Sequence, residues 1–168
     1  IRKMTGQLRE IASGDLNVVL DVRTVSELSS LSDDINKTVG VLKDSMAVIK
    51  ADLDMAAGIQ ANTLPDITSA ITERREFDLY ASMEPAKEVG GDFYDFFLIG
   101  DDCNAEEGKL GFVIADVSGK GVPAALFMMK AKTQIRDYLE ANIELGEAVE
   151  NANRQLCEGN EKGMFVTV

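Results

Sequence analysis

Between Leu28 and Gln60 one stripe of positions recurs at spacings of three and four: Leu28, Leu31, Ile35, Val39, Leu42, Met46, Ile49, Leu53, Ala56 and, last, the polar Gln60. That spacing is helical. From Ile35 onward the stripe is a two-position heptad seam, too narrow for a helix sunk in a globular core and suited to a parallel coiled coil. The extra step of four between Ile35 and Val39 is a stutter, which locally unwinds a supercoil. Packing of this helix on its own domain is the competing arrangement. No Pro or Gly interrupts Val41 to Ala57, which favours pairing of two copies through Ile35, Val39, Leu42, Met46, Ile49 and Leu53.

Ahead of the seam, Met4, Leu8 and Ile11 continue from Ile1 on one helical stripe, and Ser13-Gly14-Asp15 stops it, with Gly14 suited to a left-handed C-terminal position. Leu16 to Val25 alternates apolar and polar residues without a turn dipeptide or a second strand nearby, and reads as an extended connector. Behind the seam, helix is disfavoured just before Pro65, which marks a boundary. Beyond it the pattern predicts strands at Phe77–Ser82, Phe93–Ile99, Leu110–Ala115 and Met164–Val168. Helices are predicted from near Pro123 towards Ala141 and from Leu145 to Cys157. Strands leading into helices at these spacings predict a layered domain of both element types.

Histidine is absent from the 168 residues. This removes a Ser-His-Asp mechanism, His-ligated zinc and the phosphoacceptor of a histidine kinase. Cys103 and Cys157 are too far apart for a zinc site and are expected to be free thiols. Residues 1–64 carry seven basic and nine acidic side chains, whereas residues 65–168 carry ten and twenty. The second half repels polyanions, so nucleic acid is not an expected partner, while concentrated carboxylates suit divalent cations. No apolar run approaches the ~18 to 20 residues that span a bilayer, so the chain itself is expected to be soluble.

Two motifs carry chemistry. In Glu88-Val89-Gly90-Gly91-Asp92-Phe93-Tyr94-Asp95-Phe96, glycines that permit a tight bend precede a strand with Asp92 near its start. Asp95 lies an odd number of residues further on and so faces the other side of a regular strand. In Ile114-Ala115-Asp116-Val117-Ser118-Gly119-Lys120-Gly121-Val122-Pro123, a buried strand ends in an acid, followed by a Gly-rich turn and a Pro-started helix. An acid at a strand end can be fixed by the strand while its side chain reaches a cleft. Asp116 or Ser118 capping turn amides is the plainer alternative. Neither motif is a phosphate-binding Walker loop, because Gly121 follows Lys120 where that loop needs Ser or Thr.

The short helix, the Gly14-Asp15-Leu16 stop, the connector, the Ser26-Glu27-Leu28 start and Ile35-Asn36 together resemble a HAMP domain over residues 1–46. That resemblance implies a parallel helical dimer that follows a membrane-spanning segment ahead of residue 1. It also implies a cytoplasmic location at a bacterial inner membrane. Residues 47–64 then form a coiled-coil linker helix. From about Ile59 onward, IQANTLP, MEPAKEVGGDFYD, DVSGKGVPAAL and GMFVTV resemble the SpoIIE/RsbU-type branch of the PPM protein phosphatases. Residues 65–168 would form about the first half of such a domain, and the further metal-binding aspartates of the family would fall beyond Val168.

The combined resemblance implies an α+β chain, a parallel helical dimer module followed by a partial α-β-β-α sandwich. It further implies a signal-regulated serine/threonine phosphatase with two manganese or magnesium ions. Asp92 matches a metal-associated acid, Asp116 the bridging ligand and the Val117 carbonyl a backbone ligand. The implied substrate is a phosphorylated protein of the anti-sigma-factor antagonist kind. Two other readings remain. One is a dimeric relay with an incomplete, inactive output domain. The other is a diguanylate cyclase, which GGDFYD resembles superficially, although Phe93 replaces an acid of that family's loop and DVSGKGVPAAL has no counterpart there.

Overall fold

The computed structural model describes residues 2–23, 26–65, 77–85, 87–99, 109–141 and 143–168. Among them the elements run α1 (Arg2–Ala12), α2 (Ser26–Thr63), β1 (Phe93–Ile99), β2 (Lys109–Val117), α3 (Val122–Glu140), α4 (Leu145–Cys157) and β3 (Val166–Thr167). Two compact units divide the chain, residues 1–52 and 53–168, with α2 contributing to both.

In the first unit, the predicted stripe of α1 is the one that packs. Met4 is buried with Leu20 and Val22 of the connector, and Leu8, Ile11, Leu28 and Ile35 close around them. Gly14 turns the chain at φ 104°. The described part of the connector, up to residue 23, contains no strand. Its backbone is held by side chains of α2: the Leu20 N–H donates to Asn36 Oδ1 at 2.9 Å, and Asn36 Nδ2 and Ser32 Oγ donate to the Leu20 carbonyl at 2.8 and 2.9 Å. Leu20 and Ser32 are buried, so these bonds satisfy backbone groups that burial would otherwise leave costly.

In the second unit β1 pairs antiparallel with β2, from Phe93 opposite Ala115 to Ile99 opposite Lys109, and β2 pairs antiparallel with β3 through Asp116–Thr167 and Val117–Val166. The period of two in β2 places Val113, Ala115 and Val117 inward with Phe93 and Phe97. Helix α3 covers this face with Ala124, Met128, Ala131, Ile135 and Leu139, and α4 joins with Ala148, Ala152 and Leu156 at intervals of four. Gly111 is a packing requirement, since a Cβ there would lie 2.9 Å from the Phe97 ring opposite. On the other face of β2, Phe112 and Ile114 are 70% and 77% exposed.

Strand β1 has the predicted ends, β2 is longer than predicted, and β3 is shorter. The strand expected at Phe77–Ser82 is absent: residues 77–82 carry no strand. Their exposure nevertheless alternates residue by residue up to Pro85. Side-chain alternation follows from extended backbone alone, whereas a strand also needs a ladder partner. Cys157 is a free, exposed thiol; Cys103 and the connector's last two residues, Thr24 and Val25, lie outside the described residues.

Candidate active site

The register of the β1–β2 hairpin continues one residue past its last pair and brings Asp92, just ahead of β1, opposite Asp116 near the end of β2. Both side chains are exposed, on the face away from the helices. Asp92 titrates above the ordinary aspartate range: hydrogen bonding with the Asp116 carboxyl is the largest cause, followed by slight desolvation and the Asp116 charge. A pair of acids so arranged holds a proton or a cation more readily than either would alone.

Gly91 sets this approach. A Cβ there would stand 2.8 Å from the Val117 carbonyl oxygen, 3.0 Å from Val117 Cβ and 3.3 Å from Ala124 Cβ. Its missing side chain therefore lets the bend before Asp92 lie against the end of β2 and the first turn of α3. Behind the acids, Ser118 N donates to the Phe165 carbonyl at 2.8 Å and Phe165 N donates to Ser118 Oγ at 2.9 Å, fixing the turn after Asp116. The Ser118 hydroxyl thus accepts from a distant amide, that of Phe165 ahead of β3, and not from an amide of its own turn. An open cleft of about 880 Å³ adjoins the pair, walled by Tyr80, Met83, Tyr94 and Ile114.

Asp95 is on the opposite face, as its parity requires, and is 2% exposed. It accepts from Lys132 Nζ at 2.8 Å and from Arg136 at 3.3 Å, and Arg136 also lies 4.9 Å over the Phe97 ring. This acid ties β1 to α3 and does not join the Asp92–Asp116 pair.

Gln60 is the residue that sequence reasoning misplaced. Given as the last position of the seam, it is instead 3% exposed against its own domain. Its Nε2 donates to the Gly90 carbonyl at 2.6 Å and its Oε1 accepts from Gly90 N at 3.0 Å. The end of α2 is thus bonded to both backbone groups of Gly90, two residues before Asp92. A polar residue at a seam position was the available signal.

Among the described residues no three His, Cys, Asp or Glu side chains come together to hold a metal. Asp92 and Asp116 are the two carboxylates that the hairpin register brings together at this edge. Paired carboxylate oxygens of this kind could hold a hard, oxygen-seeking divalent ion, whose charge would relieve the crowding of the two acids.

Residues 106–168 match the family described as Stage II sporulation protein E (SpoIIE), and residues 1–44 match the HAMP domain. The chain is 30% identical over 120 residues to phosphoserine phosphatase RsbU of Bacillus subtilis, covering 71% of this chain and 33% of that protein. It is 29% identical over 170 residues to Protein IcfG of Synechocystis sp., covering 96% of this chain and 25% of that one. The chain thus spans about a third and a quarter of the length of these curated relatives. No helix among the described residues is long and apolar enough to cross a membrane. With Asp116 and Val117 inside one matched segment and the connector clamp inside the other, the chain joins a HAMP domain to a domain of the SpoIIE-type PPM phosphatase family.

Proposed function

We propose that this chain belongs to a signal-regulated, metal-dependent phosphatase that hydrolyses phosphoserine or phosphothreonine on a partner protein. The observation that carries the reading is the convergence of Asp92 and Asp116 on one cleft at the end of the β1–β2 register, with Gly91 seated on Val117. Asp92, Asp116 and the Val117 carbonyl would hold manganese or magnesium. Two such ions supply Lewis acidity for a reaction whose uncatalysed barrier is among the highest in biology. The chain's own residues do the rest. The hairpin register sets the spacing of the acids, Ser118 holds the following turn, and the cleft beside Ile114 admits a protein segment bearing the phosphoryl group.

HAMP control belongs to the same proposal. Residues 1–46 act as the relay, 47–64 as the linker and 65–168 as output. Two copies pair in parallel through α2, where Leu42, Met46 and Ile49 are 48%, 55% and 59% exposed. Anchoring at a bacterial inner membrane upstream, a partial two-sheet sandwich and an anti-sigma-factor antagonist as substrate belong to the same proposal, which the HAMP match and the likeness to a phosphoserine phosphatase support. The exposed face of Phe112 and Ile114 is where a second sheet would pack.

The test is manganese-dependent release of phosphate from a phosphoserine protein by the intact protein. Asp116→Asn should nearly abolish turnover and leave dimerisation intact. Unchanged turnover removes Asp116 from the site, and absence of metal-dependent release from the unsubstituted protein leaves a dimeric relay as the reading.

A further inference from the structure

We infer that the last two turns of α2 are a shared surface, claimed either by the helix of a second copy or by the chain's own Gly90, and that the exchange between the two regulates the site. The inference rests on the reading above that Asp92 belongs to that site.

The seam runs through Leu42, Met46, Ile49, Leu53, Ala56 and Gln60. Its members do not share one environment. Every residue from 41 to 50 is exposed, Leu53 and Ala56 are half-buried, and Gln60 is buried. Four residues beyond, Leu64 packs against the core of the output unit. A knob in a parallel coiled coil must insert between four residues of the facing helix. Gln60 cannot do so while both ends of its carboxamide are bonded to Gly90 at 2.6 and 3.0 Å. The open stretch fits a second copy, because heptad spacing is symmetric under parallel pairing and the apolar residues at 42, 46 and 49 form one row.

With the latch closed, the coiled coil therefore ends near Leu53 and the helices part. Pairing can extend through Ala56 and Gln60 only by withdrawing the carboxamide from Gly90. That withdrawal removes a hydrogen bond from each peptide group flanking Gly90, so extended pairing loosens the Asp92 side of the acid pair. The closed latch is the cation-binding state. An upstream input that favours one packing of the helix pair over the other shifts this balance.

The test uses cross-linking and amide exchange, neither of which needs turnover. In a background with Cys103→Ser and Cys157→Ser, single cysteines are introduced as Met46→Cys or Ala56→Cys and oxidised mildly; a disulfide forms only when the two Cα atoms come within about 7 Å. Met46→Cys should cross-link to completion, and Ala56→Cys should stay largely reduced with the Gly90 amide protected from exchange. Gln60→Leu, which removes the latch and supplies an apolar knob, should make Ala56→Cys cross-link like Met46→Cys, expose the Gly90 amide and weaken manganese binding. Gln60→Ala, which removes the latch alone, should expose the Gly90 amide with a smaller gain in cross-linking. Equal cross-linking at both positions with Gln60 present overturns the inference. So does a Gly90 amide that stays protected in both Gln60 variants, or failure of Met46→Cys to cross-link. A chain that shows the expected cross-linking but no metal-dependent phosphatase activity overturns the enzymatic reading and leaves the shared stripe standing.

Discussion

Lys132 Nζ lies 2.8 Å from Asp95 Oδ2, and the two side chains are 7% and 1% exposed, so the ion pair that joins α3 to β1 is nearly dry. Arg136 reaches the other oxygen at 3.3 Å but is itself 36% exposed and shared with Glu140 at 2.7 Å. Asp95 also accepts from Phe96 N at 3.0 Å. Removing the buried cation leaves a carboxylate with only a partly solvated partner. Lys132→Met should therefore cost about 3–5 kcal/mol of stability, the usual penalty for an orphaned buried charge. The double variant Asp95→Leu/Lys132→Met should recover most of it, because apolar replacement of a whole buried pair is often neutral. Urea unfolding reads both, and a Lys132→Met chain as stable as the parent contradicts the account. Asp95→Asn should reduce phosphatase activity less than Asp116→Asn, since Asp95 faces away from the acid pair.

Two glycines are expected to respond oppositely to alanine. At Gly91 the new methyl meets the Val117 carbonyl oxygen at 2.8 Å, a backbone atom that cannot swing aside. Gly91→Ala should lose about 1–3 kcal/mol, the range for overpacking, and should weaken manganese binding as Asp92 is displaced. At Gly58, inside α2, a Cβ would meet nothing within 4 Å. Gly58→Ala should gain about 0.5–1 kcal/mol from helix propensity. Thermal unfolding of the two variants tests both signs, and a neutral Gly91→Ala would mean that the loop shifts freely.

The acid pair predicts a pH dependence in metal-free solution. Asp92 is raised above its unfolded value, mainly by its hydrogen bond to Asp116. The folded state therefore binds a proton more tightly than the unfolded one. Its contribution to stability is complete below the unfolded aspartate value and is lost as pH rises through the raised folded value. Asp116→Asn removes the neighbouring charge and should lower the Asp92 value and flatten this part of the profile. Carboxyl NMR titration in chelator reads the Asp92 value, and an Asp92 that titrates identically in both chains rules out the pairing.

Parity, spacing and turn chemistry made much of this legible. An odd separation placed Asp92 and Asp95 on opposite faces, and both helices after Asp116 start and stop close to their predicted ends. What stayed illegible needed a partner distant in sequence. Lys132 and Arg136 stand one helical turn apart, and spacing along their own helix does not reveal the acid between them, which comes from 37 residues before Lys132. Residues 77–82 alternate like a strand but carry no ladder, and pattern reports only the alternation. Gln60 obeys the heptad and is nevertheless spent on Gly90. Period fixes which face a residue is on, not which neighbour reaches that face first.

The last prediction concerns transmission along α2. The helix is continuous from Ser26 to Thr63. It is bonded near one end through Asn36 to Leu20, and near the other through Gln60 to Gly90. Two carboxamide clamps on one continuous helix fix the angle at which it meets the connector and the angle at which it meets the loop before Asp92. If the helix pair transmits rotation or a change of supercoil, inserted length should matter only through the angle it adds. Seven residues after Leu42 return a 3.5-residue seam to the same face, whereas four residues turn it by roughly 40–50°. The seven-residue insertion should preserve signal response and manganese dependence. The four-residue insertion should hold activity constantly high or constantly low, because Gln60 and the HAMP core can no longer both keep their partners in a paired helix. Phosphate release measured with and without the upstream stimulus distinguishes the cases. Two insertions that behave alike and match the parent would make α2 a passive tether and end the relay model.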